Sequence, residues 1–78
     1  MIVHIAHVNN VLYNGSAESL TVPGTEGEMT ILPHHEPLVS TLKAGVIRVR
    51  TEDNEETFTI AKGLIEVSNN QATVLLTT

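Results

Sequence analysis

The sequence predicts an all-β protein, a flattened antiparallel sandwich or barrel with two sheets, and three observations carry that reading. Ile, Val and Thr make up 25 of the 78 residues, and these β-branched types lose rotamer freedom in helices but pack well on a pleated surface. Short runs of alternating apolar and polar residues recur along the chain, the period expected of half-buried strands. Gly, Pro and Asn punctuate those runs at close spacing, giving eight or nine short strands. Packing two sheets face to face buries the aliphatic rows and covers strand edges that would otherwise invite aggregation.

Taken in order, Ile2 to His7 forms the first strand, with Val3 and Ile5 on one face and His4 on the other. Val11 to Tyr13 continues it briefly before a turn at Asn14-Gly15. Ser16 to Val22 follows, with Leu20 and Val22 inward, and Glu28 to Leu32 sets Met29 beside Ile31. Leu38 to Leu42 fits a turn of helix as well as a strand. After Gly45, Ile47 and Val49 alternate with Arg48 and Arg50; the acidic run Glu52-Asp53-Asn54-Glu55-Glu56 reverses the chain; Phe58 and Ile60 resume the inward pattern. Lys62-Gly63 is the next turn. Ile65 and Val67 point inward, Asn69-Asn70 suits the positive φ angles of a two-residue hairpin, and Ala72, Val74 and Leu76 complete the last strand.

Size and composition exclude several functions. A chain of 78 residues is one domain, and at this size burial reaches only ~60% of the unfolded surface, which leaves little room for a deep cleft. Cysteine is absent, so neither disulfides nor thiolate metal sites contribute. Four basic against nine acidic residues give a net charge of −5, which repels phosphate backbones and anionic membranes, and with one Tyr and one Phe there is no stacking platform for bases. Nucleic acid is therefore not an expected partner. No apolar run approaches the ~20 residues of a spanning helix, and Met1-Ile2-Val3-His4 has no signal-peptide character. A soluble, cytoplasmic protein is expected.

The stretch Val22 to Arg50 holds the densest punctuation, with Pro23-Gly24, Gly27, Pro33, Pro37 and Gly45. We expect it to form an exposed lobe that grips a partner. His34, His35 and Glu36 are ligand types for zinc or nickel, but adjacent histidines in an extended or turn backbone point apart and no third ligand stands at a closing spacing. Glu26 and Glu28 flank Gly27 with no nucleophile or oxyanion donor near them, so general acid-base work has no support. Gly24-Thr25-Glu26-Gly27 lacks the Gly-Lys-Ser/Thr ending of a phosphate loop. No cofactor, metal or small-molecule substrate is expected. Arg48 and Arg50 suit either an acidic partner surface or a simple salt-bridged face.

Three blocks carry a family resemblance: Tyr13-Asn14-Gly15 followed by Glu18-Ser19-Leu20; PGTEGEMTILPHHEPLVSTLKAGVIRVR from Pro23 to Arg50; and KGLIEVSNNQATVLLTT from Lys62. In order and spacing they resemble the amino-terminal β-sandwich of the epsilon subunit of F-type ATP synthases, over nearly the whole chain. The resemblance implies a flattened barrel of about ten strands and a non-catalytic rotor subunit of the central stalk. Such a subunit joins the gamma subunit to the membrane c-ring and couples ion translocation to ATP turnover at the cytoplasmic face of the bacterial inner membrane, held there through protein contacts.

By the same resemblance, Glu26, Gly27, Glu28, Met29 and Thr30, together with His34, His35 and Glu36, would face the c-ring. His7 and a loop of Leu38, Val39, Ser40, Thr41 and Leu42 would face gamma. Two positions depart from the family pattern: His34 stands where a small residue is usual, and Glu36 where Ala or similar is usual. The family continues into a helical pair that carries its inhibitory arm, and a chain ending at Thr78 is expected not to inhibit by extension. The rival expectation is a free-standing ligand- or metal-binding sandwich using His34, His35 and Glu36.

Overall fold

A computed structural model describes residues 1–77. Nine strands follow one another: β1 (Ile2–His7), β2 (Asn10–Ser16), β3 (Ser19–Gly24), β4 (Gly27–Ile31), β5 (Leu38–Leu42), β6 (Gly45–Arg50), β7 (Glu55–Ile60), β8 (Gly63–Ser68) and β9 (Gln71–Leu76). They make a single hydrogen-bonded path, β2-β1-β9-β8-β5-β3-β6-β7, with β4 added to the other side of β3. The path curls over, so that β2-β1-β9-β8-β5 forms one layer and β4-β3-β6-β7 the second. No helix occurs among the described residues, so none is long and apolar enough to cross a membrane.

The layers meet at a corner built by two residues that read as a turn in sequence. β3 pairs with β6 through Ser19, Leu20 and Thr21, and then with β5 at Gly24 alone, opposite Leu42. Between them stands Pro23, which cannot donate to a ladder; its carbonyl instead accepts the Lys43 N–H at 2.9 Å. A Cβ on Gly45 would lie 2.7 Å from Pro23 Cβ, so only glycine lets β6 start beside the proline. Pro23-Gly24 thus lies inside a strand and bends it from one layer to the other.

Alternation fills the interior. Val3 and Ile5, Leu20 and Val22, Ile47 and Val49, Ile65 and Val67, and Ala72, Val74 and Leu76 all join one buried cluster. Each fully buried Ile, Leu or Val contributes roughly 1.5–3 kcal/mol by leaving water, and among the described residues no buried polar or charged side chain competes with them. The stretch from Val22 to Arg50 is therefore no projecting lobe: it supplies Val22, Ile31, Leu42, Ile47 and Val49 to the core.

Three further expectations change. Asn14-Gly15 is not a turn; both residues pair inside β2, opposite His4 and Val3, and the reversal is at Val8-Asn9. A bulge between Ile5 and Ala6 leaves Leu12 without a partner, which shifts the β2 register and misleads a simple period-2 count. The fold is not wholly antiparallel, because β1 and β9 run parallel from Ile2↔Gln71 to His7↔Leu76. Leu38 to Leu42 is a strand, paired along β8. The Asn69-Asn70 hairpin forms as expected, with φ values of 51° and 59°.

Candidate functional site

The exposed features are surfaces at the two ends and on the flanks of the sandwich. At one end gather the turns Val8-Asn9, Thr25-Glu26, Lys43-Ala44 and Ala61-Lys62; at the other gather Ala17-Glu18, the loop from Leu32 to Pro37, the Thr51–Asn54 reversal and Asn69-Asn70. Hydrogen bonds tie neighbouring turns at each end, so both present fixed shapes.

The Thr25-Glu26 hairpin is closed by Gly24 facing Gly27, where the backbones come so near that a Cβ on Gly24 would meet the Gly27 oxygen at 2.7 Å. Gly27 itself has φ 137°, a conformation for which side chains are penalised. Thr25 N–H donates to the Thr41 carbonyl at 3.1 Å, and their hydroxyls lie 2.9 Å apart. Glu26 stands at the tip, exposed; Glu28 and Thr30 point outward from β4; Met29 turns inward and packs against the core. Strand alternation thus splits the run Glu26 to Thr30 and leaves Met29 half-buried against the core.

The loop of His34, His35 and Glu36 lies at the opposite end. His34 adopts φ 64° and its N–H donates to Asn70 Oδ1 at 2.8 Å, while His35 N–H reaches the Leu32 carbonyl at 3.2 Å. His35 Nδ1 is 2.8 Å from the Glu36 carbonyl, so that nitrogen carries the proton and donates. All three residues are exposed. The five residues of β4 separate this loop from the Glu26 hairpin, a span of about 13 Å at the strand rise. The two groups expected to face one partner thus lie at opposite ends of β4. His4 and His7 lie on β1, whose pairing does not bring them to the His34 loop. Among the described residues, no three His, Cys, Asp or Glu side chains come together as a metal site would need.

The second expected group divides in the same way. Along β5, Val39 and Thr41 point outward, Leu38 and Ser40 are half-buried, and Leu42 is 2% exposed. Leu42 is a core residue and cannot face a partner. His7 ends β1 at the hairpin end, opposite Asn10 and Leu76.

Sequence reasoning missed an apolar row on this outer face. Ala6 pairs with Val11 on one side and Leu75 on the other, and Leu75 pairs with Leu64, which stands beside Thr41. Val11, Leu75 and Leu64 are 71%, 49% and 37% exposed, and Val8 at the adjoining turn is 79% exposed. The signal was present as leucines on outward positions, Leu64 before Ile65 and Leu75 after Val74. What hid it was topology, since the parallel β1–β9 pairing is what joins Ala6 to Leu75.

A nine-stranded curled sheet, with its distinctive chemistry on open faces, defines a small β-sandwich domain. The chain belongs to the family described as the ATP synthase delta/epsilon chain β-sandwich domain, whose model matches residues 1–78. It is 40% identical over 73 residues to the ATP synthase epsilon chain of Leptospira borgpetersenii serovar Hardjo-bovis, covering 94% of this chain and 58% of that protein. To the ATP synthase epsilon chain of Brevibacillus brevis it is 37% identical over 79 residues, covering 100% and 60%. The chain thus spans less than two-thirds of the length of both relatives. Among solved structures, a chain of the Euglena gracilis mitochondrial ATP synthase OSCP/F1/c-ring structure superposes with a TM-score of 0.91 at 22% identity, over 97% of this chain and 49% of the other. A chain of the Tetrahymena thermophila mitochondrial ATP synthase central stalk/c-ring gives 0.85 at 14% identity, over 99% and 63%. At such identities the likeness establishes the fold.

Proposed function

We propose that this chain acts as a single β-sandwich domain in the central stalk of an F-type ATP synthase, a non-catalytic rotor part that joins the gamma subunit to the c-ring and keeps ion translocation coupled to ATP turnover. Its place would be peripheral, at the cytoplasmic face of a bacterial membrane, held by protein contacts. Family membership supports the class of role. The observation that carries the contact is the apolar row Val11, Ala6, Leu75 and Leu64, an outward stripe across adjoining strands with His7 and Thr41 close by. Apolar side chains left exposed in a contiguous stripe mark a protein-facing surface, and we assign this one to gamma. Val39, two residues from Thr41 on the same face, extends it.

The ring contact is assigned to the hairpin end alone, through Glu26 and the outward Glu28 and Thr30. The hairpin is braced against β5, so load applied at its tip is passed into the sheet. The His34–Glu36 loop, at the other end of β4, is left out of this assignment. Pull-down of the 78-residue chain with purified gamma subunit and c-ring tests the assignment. Binding at micromolar concentration or tighter is expected, with Leu64→Asp and Leu75→Asp abolishing gamma capture and Glu28→Lys weakening ring capture. Retention of gamma by both aspartate variants would remove the apolar row from the interface, and no binding of the unaltered chain would overturn the role.

A further inference from the structure

The outer face of the second layer carries a feature that neither end of the sandwich explains. Arg48 and Arg50 alternate along β6 and project to the same side, roughly 7 Å apart at two strand rises. Ser19 pairs with Arg50 and Thr21 with Arg48, while Thr30 on β4 pairs with Thr21, their hydroxyls 3.2 Å apart. On the other side Glu55 pairs with Arg50 and Thr57 with Arg48. Together Ser19, Thr21, Thr30, Arg48, Arg50 and Glu55 line a depression of about 280 Å³.

Intramolecular pairing does not use up these cations. Arg48 Nη1 is 4.0 Å from Glu55 Oε1, with both side chains about half exposed at 51% and 43%, a distance and exposure at which an ion pair is weak. Arg50 has no ion-pair partner among the described residues. The lining sets two cations against one carboxylate, Glu55, over a floor of hydroxyl groups, with Glu28 further along β4 on the same face. The two side chains leave the backbone of one strand about 7 Å apart, so extended they present two separate cationic heads. An extended polypeptide with carboxylates two residues apart has the same ~7 Å repeat as β6 itself, and each guanidinium can take a carboxylate through two N–H groups.

We propose that this face, formed by β3, β4, β6 and β7, docks an extended acidic segment of a partner protein, with alternate carboxylates on Arg48 and Arg50 and the intervening polar groups on Ser19, Thr21 and Thr30. Glu55 acts against the ligand by holding Arg48 and repelling carboxylate, so it sets the affinity.

Nitrogen-15 NMR titration of the chain with a capped Glu-Thr-Glu-Thr-Glu peptide tests this, alongside a Gln-Thr-Gln-Thr-Gln peptide and inorganic phosphate. Saturable shifts are expected at the Arg48 and Arg50 Nε–H groups and the Ser19 and Thr21 amides, weakening as salt is raised. Arg50→Gln should weaken binding by about 2- to 5-fold, whereas Glu55→Gln should tighten it by a similar factor. Three results overturn the proposal: equal response to the glutamine peptide, equal response to phosphate at the same concentration, or weaker binding by Glu55→Gln. Because Glu55→Gln must gain affinity, a general loss of folding cannot imitate the expected result.

Discussion

The rings of Tyr13 and Phe58 meet edge to face, their centroids 6.4 Å apart and their planes at 72°. They are the only aromatic residues of the chain. Tyr13 lies on β2 and Phe58 on β7, the two strands that end the hydrogen-bonded path. Where the curled sheet has no backbone ladder to close it, this pair packs against the core and seals the seam. Gly15, on the same face as Tyr13, leaves room for the ring, and the Tyr13 hydroxyl donates to the Ser16 carbonyl at 2.8 Å.

A double-mutant cycle measures the seam. Tyr13→Leu and Phe58→Leu should each lower unfolding stability, and their coupling energy should be about 0.5–1.5 kcal/mol, the usual value for an aromatic pair beyond its buried area. Urea denaturation followed by circular dichroism reads it. Strict additivity of the two changes would mean that the rings only fill space.

Glycine positions divide by what an added methyl would meet. At Gly24 the nearest atom is the Gly27 oxygen at 2.7 Å, backbone that cannot swing aside, whereas at Gly15 nothing lies closer than Tyr13 at 3.9 Å. Gly24→Ala should therefore cost about 1–3 kcal/mol through overpacking at the layer corner. Gly15→Ala should be neutral or raise stability by up to ~1 kcal/mol, since it lowers the entropy of the unfolded chain. Thermal unfolding of the two variants side by side checks the contrast.

The tether between Asn70 and His34 joins two turns that are 36 residues apart. Asn70→Gly keeps the positive φ of 59° while removing the acceptor, so it should cost about 0.5–1.5 kcal/mol and speed hydrogen exchange at the His34 amide. Asn70→Ala should cost about 1–2 kcal/mol more, because a Cβ is disfavoured in that backbone region. Equal exchange at His34 in the parent chain and the glycine variant would show that the bond does not persist in solution.

Along β5 the two faces should respond in opposite ways. Leu42→Ala should cost about 2–5 kcal/mol as a core cavity, a large part of the ~4–12 kcal/mol available to a chain of this length. Val39→Asp, on a side chain 66% exposed, should leave the urea midpoint nearly unchanged and act only on partner capture. A stability loss at Val39 comparable to that at Leu42 would contradict the assigned facing.

Local chemistry in the chain was enough to settle the class of fold and most of its core. Val3, Ile5, Leu20, Val22, Ile47, Val49, Ile65, Val67 and Val74 are buried as alternation requires, because side-chain direction in a strand follows from sequence parity alone. The Asn69-Asn70 hairpin was equally legible, since few residues accept two successive positive φ angles. The motif blocks likewise pointed to the family that the comparison confirms.

Parity fails wherever a bulge or a bend intervenes, and there only the folded chain decides. In β2, which carries the bulge, Asn14-Gly15 is paired strand and not a turn, and the corner at Pro23-Gly24 is a bend for which the neighbouring Gly45 leaves room. The surfaces were hidden for a related reason. Which outward residues become neighbours depends on strand order, and strand order is set by non-local pairing such as β1 beside β9. The family resemblance grouped Glu26 with His34, and only the direction of β4 shows that they stand at its opposite ends. Pairing gathered Val11, Ala6, Leu75 and Leu64 from three separate parts of the chain into one row, because burying the inner face of each strand leaves the outer face to be assembled by whatever strand lies alongside.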